Sequence, residues 1–474
     1  MFNTSTYINR RNKLQQSVSD GILLFLGNAE SPMNFADNAY HFRQDSTFLY
    51  YFGINEPNLS AVMDVETGDC IVFGNEHSMD EIIWMGRLET LSSKAEKSGV
   101  TCTKPSSSLS EYLNKALSKG RTVHFLPPYR DGNKIKLHQF LNIPLESVSQ
   151  YASVPFIKAV VAQRSIKSEE EIAEIENAVN NSVAMHTVAM RMAKSGMNEK
   201  QLAAMVQFAA ESTGGHLAYP TIMTVNGQIL HNHHYHNILQ EGQLILNDSG
   251  AETAMGYAGD LTRTFPVSGK FTTKQSDVYQ IVLNALDIAT AALKPGVKYL
   301  DIHLLSCKIL VAGLKELGLM KGDTEEAVAA GAHTLFFQCG TGHMMGLDVH
   351  DMEDLGEQYV GYTDTFKKDT STFGLKSLRL GKELQTGYVL TVEPGLYFIP
   401  ELIDLWKAEK KLEAFINYDK VEEYRDFSGI RIEDDVVITA DGHRILGQPL
   451  AKSISEIEGL RAQKNEFSFN LWPN

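Results

Sequence analysis

The chain has 474 residues, 43% of them hydrophobic and 21% charged, the make-up of a soluble globular protein too long for one ordinary core, so two or three domains are expected. A formal charge of −15 excludes the broad basic face that a nucleic acid or an anionic membrane demands. Four scattered cysteines (Cys70, Cys102, Cys307, Cys339), none in a CxxC pair, fit reduced thiols in a cytosolic enzyme and exclude a disulfide framework.

Residues 1–16 carry basic side chains without an apolar run of signal-peptide length, and no later segment has the apolar length of a membrane span. A soluble, cytoplasmic protein is expected. Apolar runs at Ile22–Phe25, Ala61–Val65, Ile71–Phe73 and Thr122–Phe125 predict strands, and Ser110–Ser118 and Ile135–Leu141 carry helical spacing. The pattern is α/β, without phosphate-loop glycines or a catalytic constellation. The character changes over residues 154–167. Ser168 to Glu171 is a capping box, a hydroxyl with a carboxylate three residues on, and Ile172, Ile175, Val179 and Val183 follow at helical spacing. The boundary falls just ahead of this cap, giving domains 1–160 and 161–474.

The second part repeats itself. Lys194-Ser-Gly196 ends one helix and opens another over Gln201–Glu211; Lys294-Pro-Gly296 does the same between Tyr279–Leu293 and Leu300–Leu314. Helix, glycine turn, helix, then strands, written twice, suggests two similar α+β halves facing each other across a cleft. Residues 356–385 and 400–427, polar, lysine-rich and weakly periodic, read as surface insertions.

Acids stand on apolar strands in this region. Leu244-Ile-Leu-Asn-Asp248 ends in one; Tyr257 to Thr264 places Asp260, Thr262 and Thr264 on one face; Tyr388 to Glu393 ends in another before Pro-Gly; and in Gly429 to Ile438, Arg431, Glu433 and Asp435 share a face. Between them lie Gly340-Thr-Gly342-His343 and, seven residues on, His350. A single strand-end acid is ordinary. Several unpaired buried carboxylates are not, because each carries a penalty of several kcal/mol unless a charge compensates it. Asp248, Asp260, Glu393 and Glu433 sum to −4, which two divalent cations neutralise, with His343 as a neutral fifth ligand. One imidazole among four carboxylates is a hard donor set, favouring Mn²⁺ over thiolate-bound Zn²⁺. Paired cations suit hydrolysis, where they activate water and polarise a carbonyl together.

These segments resemble those of aminopeptidase P and prolidase, in the wider group that includes methionine aminopeptidase and creatinase. Asp-x-Gly at Asp248, Gly259-Asp-Leu-Thr-Arg-Thr-Phe-Pro266, His343, Thr-Val-Glu393-Pro-Gly and Ile-Arg-Ile-Glu433-Asp-Asp match the family's five metal-ligand motifs in order. The resemblance implies an α/β N-terminal domain followed by an α+β pita-bread catalytic domain with pseudo-two-fold halves. It further implies that Asp260 and Glu433 bridge two metals, that Asp248 binds one, and that His343 and Glu393 bind the other. Tyr40 to Gly53 and Ile83-Trp84-Met-Gly-Arg87 resemble the aminopeptidase P N-terminal domain.

The same likeness implies roles for His231 beside the metals, His350 on the substrate or oxyanion, and Arg431 as partner of the active-site carboxylates, with Glu393 passing a proton to the leaving nitrogen. Trp84 is expected to reach a neighbouring copy in a homo-oligomer, a dimer or tetramer. His233, His234 and His236 read as loop residues. One departure stands out: Cys339 occupies a position where the family commonly has histidine. The function implied is hydrolysis of the bond between an N-terminal residue and a following proline, on peptides with proline in second position. The alternatives are a strict Xaa-Pro dipeptidase, a non-catalytic pita-bread binding protein and a creatinase-like amidine hydrolase.

Overall fold

Continuous apolar runs buried on both faces along Ile22–Leu26 (β1), Ser60–Asp64 (β2) and Cys70–Phe73 (β3) build a sheet that Cys102–Lys104 (β4) and Val123–His124 (β5) extend to five strands, in the order β4-β3-β2-β1-β5. The computed structural model describes residues 1–463 and contains two compact units. The first, Met1–Ser165 with Met352–Val360, holds this sheet. Its β1–β2 and β2–β3 pairs are antiparallel and its outer pairs parallel. Helix Ser108–Ser118 lays Leu109, Leu113 and Ala116 against Ile22, Leu24, Val62 and Phe73. On another side of the sheet Phe25 meets the rings of Tyr51, Phe52 and Phe156.

Helix Thr4–Ser17 escaped the periodicity argument for a physical reason: two of its four buried residues are arginines. Arg10 and Arg11 donate to the carbonyls of Tyr50 and Tyr51 (2.9 and 2.7 Å), the open C-terminal end of helix Ser46–Phe52. Helix Met79–Met85 buries none of its residues, and Trp84 is 84% exposed, which excludes a packing role for it in this unit's core. Among the described residues no helix is long and apolar enough to cross a membrane.

The second unit, Ile166–Asp351 with the chain from Gly361 onward, contains the repeat. The capping box at Ser168 starts helix Glu169–Met192, followed after Gly196 by helix Glu199–Glu211. Helix Thr273–Ala291 and, after Gly296, helix Tyr299–Glu316 repeat the pair. Both glycines have φ near +90° (88° and 86°), where a side chain would be strained, and both N–H groups bond equivalent leucine carbonyls, Leu239 and Leu384, at 2.9 Å. Leu239 and Leu384 in turn donate to Met197 and Val297, each at 2.8 Å. Two three-stranded antiparallel sheets follow. After the short strand His216–Leu217 (β6), the first combines Ile222–Thr224 (β7), Leu244–Ser249 (β8) and Leu261–Pro266 (β10), with Ala251–Glu252 (β9) pairing β6. The second combines Val389–Val392 (β11), Asp434–Ile438 (β14) and His443–Ile445 (β15); Gly395–Tyr397 (β12) pairs Gly429–Arg431 (β13).

Two expectations need correction. Residues 429–438 are not one strand: the chain leaves β13 at Arg431 and joins a different partner at Asp434. Nor are residues 356–385 and 400–427 surface insertions. Leu378, Leu380 and Leu384 are buried, and the Lys382 carbonyl accepts from Tyr299 at 3.0 Å; Ile403, Trp406, Ile416 and Val421 are equally enclosed. Irregular backbone and helices as short as Tyr418–Glu422 bury their apolar residues without leaving a periodic trace.

Gly259 fixes where the first helix meets the sheets, since a β-carbon there would lie 2.7–2.9 Å from the Ala178–Val179 backbone. Replacing it, Gly259→Ala, is expected to lower stability by about 1–3 kcal/mol, the usual effect of overpacking. The urea midpoint measures this; an unchanged midpoint would show that the helix is free to shift.

Candidate active site

The sheets carry their acids to one place. Asp248 lies near the end of β8, Asp260 just ahead of β10, Glu393 just after β11, and Glu433 in the break between β13 and β14. The first pair belongs to one half of the repeat and the second to the other. The halves meet where Glu433 N–H donates to the Thr262 carbonyl (3.1 Å) and Thr262 Oγ1 donates to Glu433 Oε2 (2.7 Å). His343 arrives on a segment laid antiparallel along β11, with Thr391 N–H on the His343 carbonyl at 3.0 Å and Glu393 N–H on the Thr341 carbonyl at 2.7 Å. That approach requires glycine at 342, because a β-carbon there would sit 2.1 Å from the Thr391 oxygen.

All eight expected site residues line a single pocket: His231, Asp248, Asp260, His343, His350, Glu393, Arg431 and Glu433. His343 Nδ1 is 3.1 Å from the Met344 carbonyl, which only accepts, so Nδ1 carries the proton and Nε2 presents its lone pair to the acids. Nε2 lies 3.5 Å from Asp260 Oδ2 and 3.6 Å from Glu393 Oε1. The His350 ring stands edge-on to His343 at 4.3 Å. Arg431 bridges outward from the cluster, donating to Asp248 Oδ2 (2.5 Å) and to the Tyr397 hydroxyl (2.8 Å). His231 and His233 lie at the exposed rim; His234 and His236 stack on each other in the same loop at 5.4 Å.

Three residues of the pocket wall, and the contact made by a fourth residue behind it, have no signal in the sequence. Tyr219 donates to Asp248 Oδ1 (2.6 Å) and also contacts Asp260; nothing in the spacing of a lone Tyr-Pro pair announces this. Ser377 and Arg379 enter the wall from a stretch read as a surface insertion. Asp435, noted only as sharing a face, accepts from the Asp260 backbone N–H at 2.8 Å.

The donor set suits bound cations. One carboxylate oxygen each from Asp260 and Glu433 and a ring nitrogen of His343 lie within 4.8 Å of one another, all buried. Glu433 Oε1 and Asp435 Oδ1 are buried without a hydrogen-bond partner, a costly condition that a cation would relieve. Without one, burial and then the neighbouring acids push the Glu433 carboxyl well above its ordinary range, and burial raises Asp260 as well. Burial, opposed by Arg431 but reinforced by Asp260 and Asp248, takes Glu393 to about 8. Cys339, also in the wall, is a thiol pushed up to about 12 by burial and by Glu393, so it stands protonated rather than as a reactive thiolate.

Residues 173–440 match the family described as metallopeptidase family M24, and residues 7–124 match the aminopeptidase P N-terminal domain. The chain is 32% identical to a Xaa-Pro aminopeptidase of Escherichia coli over 95% of its own length and 96% of that protein's. It is 31% identical to a human Xaa-Pro dipeptidase, covering 96% and 90%. Zinc-substituted Escherichia coli aminopeptidase P in complex with product is similar in structure, with a TM-score of 0.80 at 31% identity over 98% of this chain and all of that one.

Protonated Glu393 makes a pH prediction for chelated protein. A folded-state carboxyl at about 8 against an ordinary 4.5 means that the folded state binds the extra proton. Its contribution to stability is present below 4.5 and is lost as pH rises towards 8. Comparing wild type with Glu393→Gln in chelator cancels the histidines common to both, and wild type should lose ground across that window. Parallel pH profiles would contradict the charge reading.

Proposed function

Since the chain belongs to metallopeptidase family M24, we infer that this pocket is the catalytic centre of a metal-dependent Xaa-Pro aminopeptidase. It hydrolyses the bond between an N-terminal residue and a following proline. The observation that carries this reading is the set of four carboxylates and one histidine, all but Glu393 buried, that both halves of the repeat bring to one pocket, with a carboxylate oxygen left unpartnered on Glu433. Two divalent cations, Mn²⁺ by the hardness of the donors, would be held by Asp248, Asp260, His343, Glu393 and Glu433. When bound, they supply an activated water and Lewis-acid polarisation of the scissile carbonyl.

The protein's own groups do the rest. Asp248 beside the pocket attracts the substrate's free ammonium. Leu230, Val349 and Ile222 in the wall offer an apolar surface to the proline ring. His350 and His231, both lining the pocket, are assigned as donors to the carbonyl oxygen as negative charge develops on it. Glu393, the most open of the four acids, accepts a proton and passes it to the leaving nitrogen. Arg431, tied to Asp248 and Tyr397, holds the acid array in register. A homo-oligomer is supported by Ile83, Trp84 and Met85, at least 70% exposed side by side, an apolar surface that a neighbouring copy would cover; sedimentation of a fully active monomer would remove that support.

Asp260→Asn and Glu433→Gln, which delete charge without changing volume, should abolish hydrolysis of Xaa-Pro peptides and most divalent-ion binding while leaving the unfolding transition nearly in place. Full activity in chelated protein would sink the metal mechanism.

Arg379 favours a second reading, an Xaa-Pro dipeptidase, because a cation in the pocket wall is suited to a substrate's C-terminal carboxylate. Under the aminopeptidase reading, Arg379→Met should leave kcat/KM for an Xaa-Pro-Xaa tripeptide within about tenfold, a loss of at most roughly 1.4 kcal/mol. A selective collapse on Xaa-Pro dipeptides, with dipeptides the better substrates of the wild type, would establish the dipeptidase instead.

A further inference from the structure

A second group of ligating side chains lies in the core of the same unit, outside the substrate pocket. His303 and Cys307 are four residues apart on helix Tyr299–Glu316, so both point from one face of it. His333 faces them from the short turn Ala332–Leu335. All three are buried, at 1%, 0% and 6% exposure. One ring nitrogen from each histidine and the Cys307 sulfur lie within 4.8 Å of one another, and no carboxylate joins the group.

The three are not satisfied by each other. His333 Nδ1 is buried without a hydrogen-bond partner. Cys307 Sγ stands 3.6 Å from His303 Nε2, a weak contact for a hydrogen bond. That separation equals the roughly 3.3–3.6 Å between neighbouring ligands around a tetrahedral zinc with its usual bond lengths. His303 is oriented for such a role, since its Nδ1 lies 2.9 Å from Thr341 Oγ1, the second hydrogen bond that fixes a ligating imidazole. Packing alone accounts for a buried thiol but would favour carbon over two buried imidazoles beside it.

We propose that His303, Cys307 and His333 form a structural site for one thiophilic d¹⁰ ion, zinc(II) or copper(I), separate from the oxygen-rich cluster. Nitrogen and sulfur donors select such ions, whereas the carboxylates of the substrate pocket select hard ones. On binding, the Cys307 S–H bond gives way to a sulfur–metal bond and one proton leaves to solvent; the oxidation states of sulfur and metal do not change. A divalent ion then adds one positive charge to the core and a monovalent ion none. The site braces the catalytic segment through Thr341, whose carbonyl accepts from Glu393 N–H at 2.7 Å and from the Tyr299 hydroxyl at 3.0 Å, two residues before His343.

Cobalt(II) tests this without recourse to activity, because a thiolate-to-cobalt charge-transfer band in the near ultraviolet requires a sulfur ligand. Full-length protein carrying Asp260→Asn, stripped and titrated with cobalt(II), should develop the band with one equivalent. Adding Cys307→Ala should remove both the band and that equivalent, and His333→Gln should weaken binding at least about tenfold. In parallel, the stripped Asp260→Asn protein is loaded with zinc(II) or, anaerobically, with copper(I); retention of either through gel filtration, lost in Cys307→Ala, supports the site and identifies the ion. A band that persists in Cys307→Ala, or no band together with retention of neither ion, would overturn the proposal. Because the band needs sulfur, its failure leaves the oxygen-rich centre untouched.

Discussion

Negative charge gathered out of water is the constraint on which the second unit depends. Asp248, Asp260, Glu393, Glu433 and Asp435 converge from both halves, and the ion pair between Arg431 and Asp248 answers only part of their charge. Carboxylates in this position either keep protons or hold cations; the upward displacement of Glu393 and Glu433 describes the first state and the unpartnered Glu433 oxygen prepares the second. A site built this way has its metal affinity stored in the fold as electrostatic strain.

Backbone contact, not side-chain packing, supports that strain. Gly259 lets the helix at Ala178–Val179 approach the chain beside Asp260; Gly342 lets the segment carrying His343 lie on β11; and Gly227 and Gly429 meet backbone to backbone near β13. Each close approach seats a catalytic segment against regular structure without an intervening side chain. Charges on the other side of the same strands are handled separately: Asp434 turns away from the pocket to Arg263 and Lys452, at 2.7 and 3.0 Å. Alternation along β14 therefore sends Asp434 to Arg263 and Lys452 and Asp435 to the Asp260 backbone N–H.

The donor chemistry of this unit is also divided. Hard oxygens surround the substrate pocket, and the nitrogen–sulfur group of His303, Cys307 and His333 sits behind it in the core. Thr341 connects the two, with its hydroxyl toward His303 and its carbonyl on Glu393 N–H. Cys339 lies in the pocket wall as a protonated thiol, beside Glu393. Softness and hardness of ligands keep the two groups chemically distinct despite this proximity.

Local chemistry was legible in the chain. The capping box at Ser168, the glycine turns at Gly196 and Gly296, the apolar strands ending in Asp248 and Glu393, and the charge sum of the acids are all written over short spans, where periodicity and capping act directly. What the sequence by itself determined was therefore the fold class, the repeat and the identity of the acids. Residues that act only through distant partners left no such mark. Tyr219 gains its role by meeting Asp248 and Asp260, Arg379 by the burial of an aperiodic stretch, and His333 by facing a helix that begins far back in the chain. Helix Thr4–Ser17 was hidden because arginines, not leucines, fill its buried face. Only tertiary structure decided these, because hydrogen bonds and ligand geometry depend on separation in space, which sequence spacing reports only within a single helix or strand.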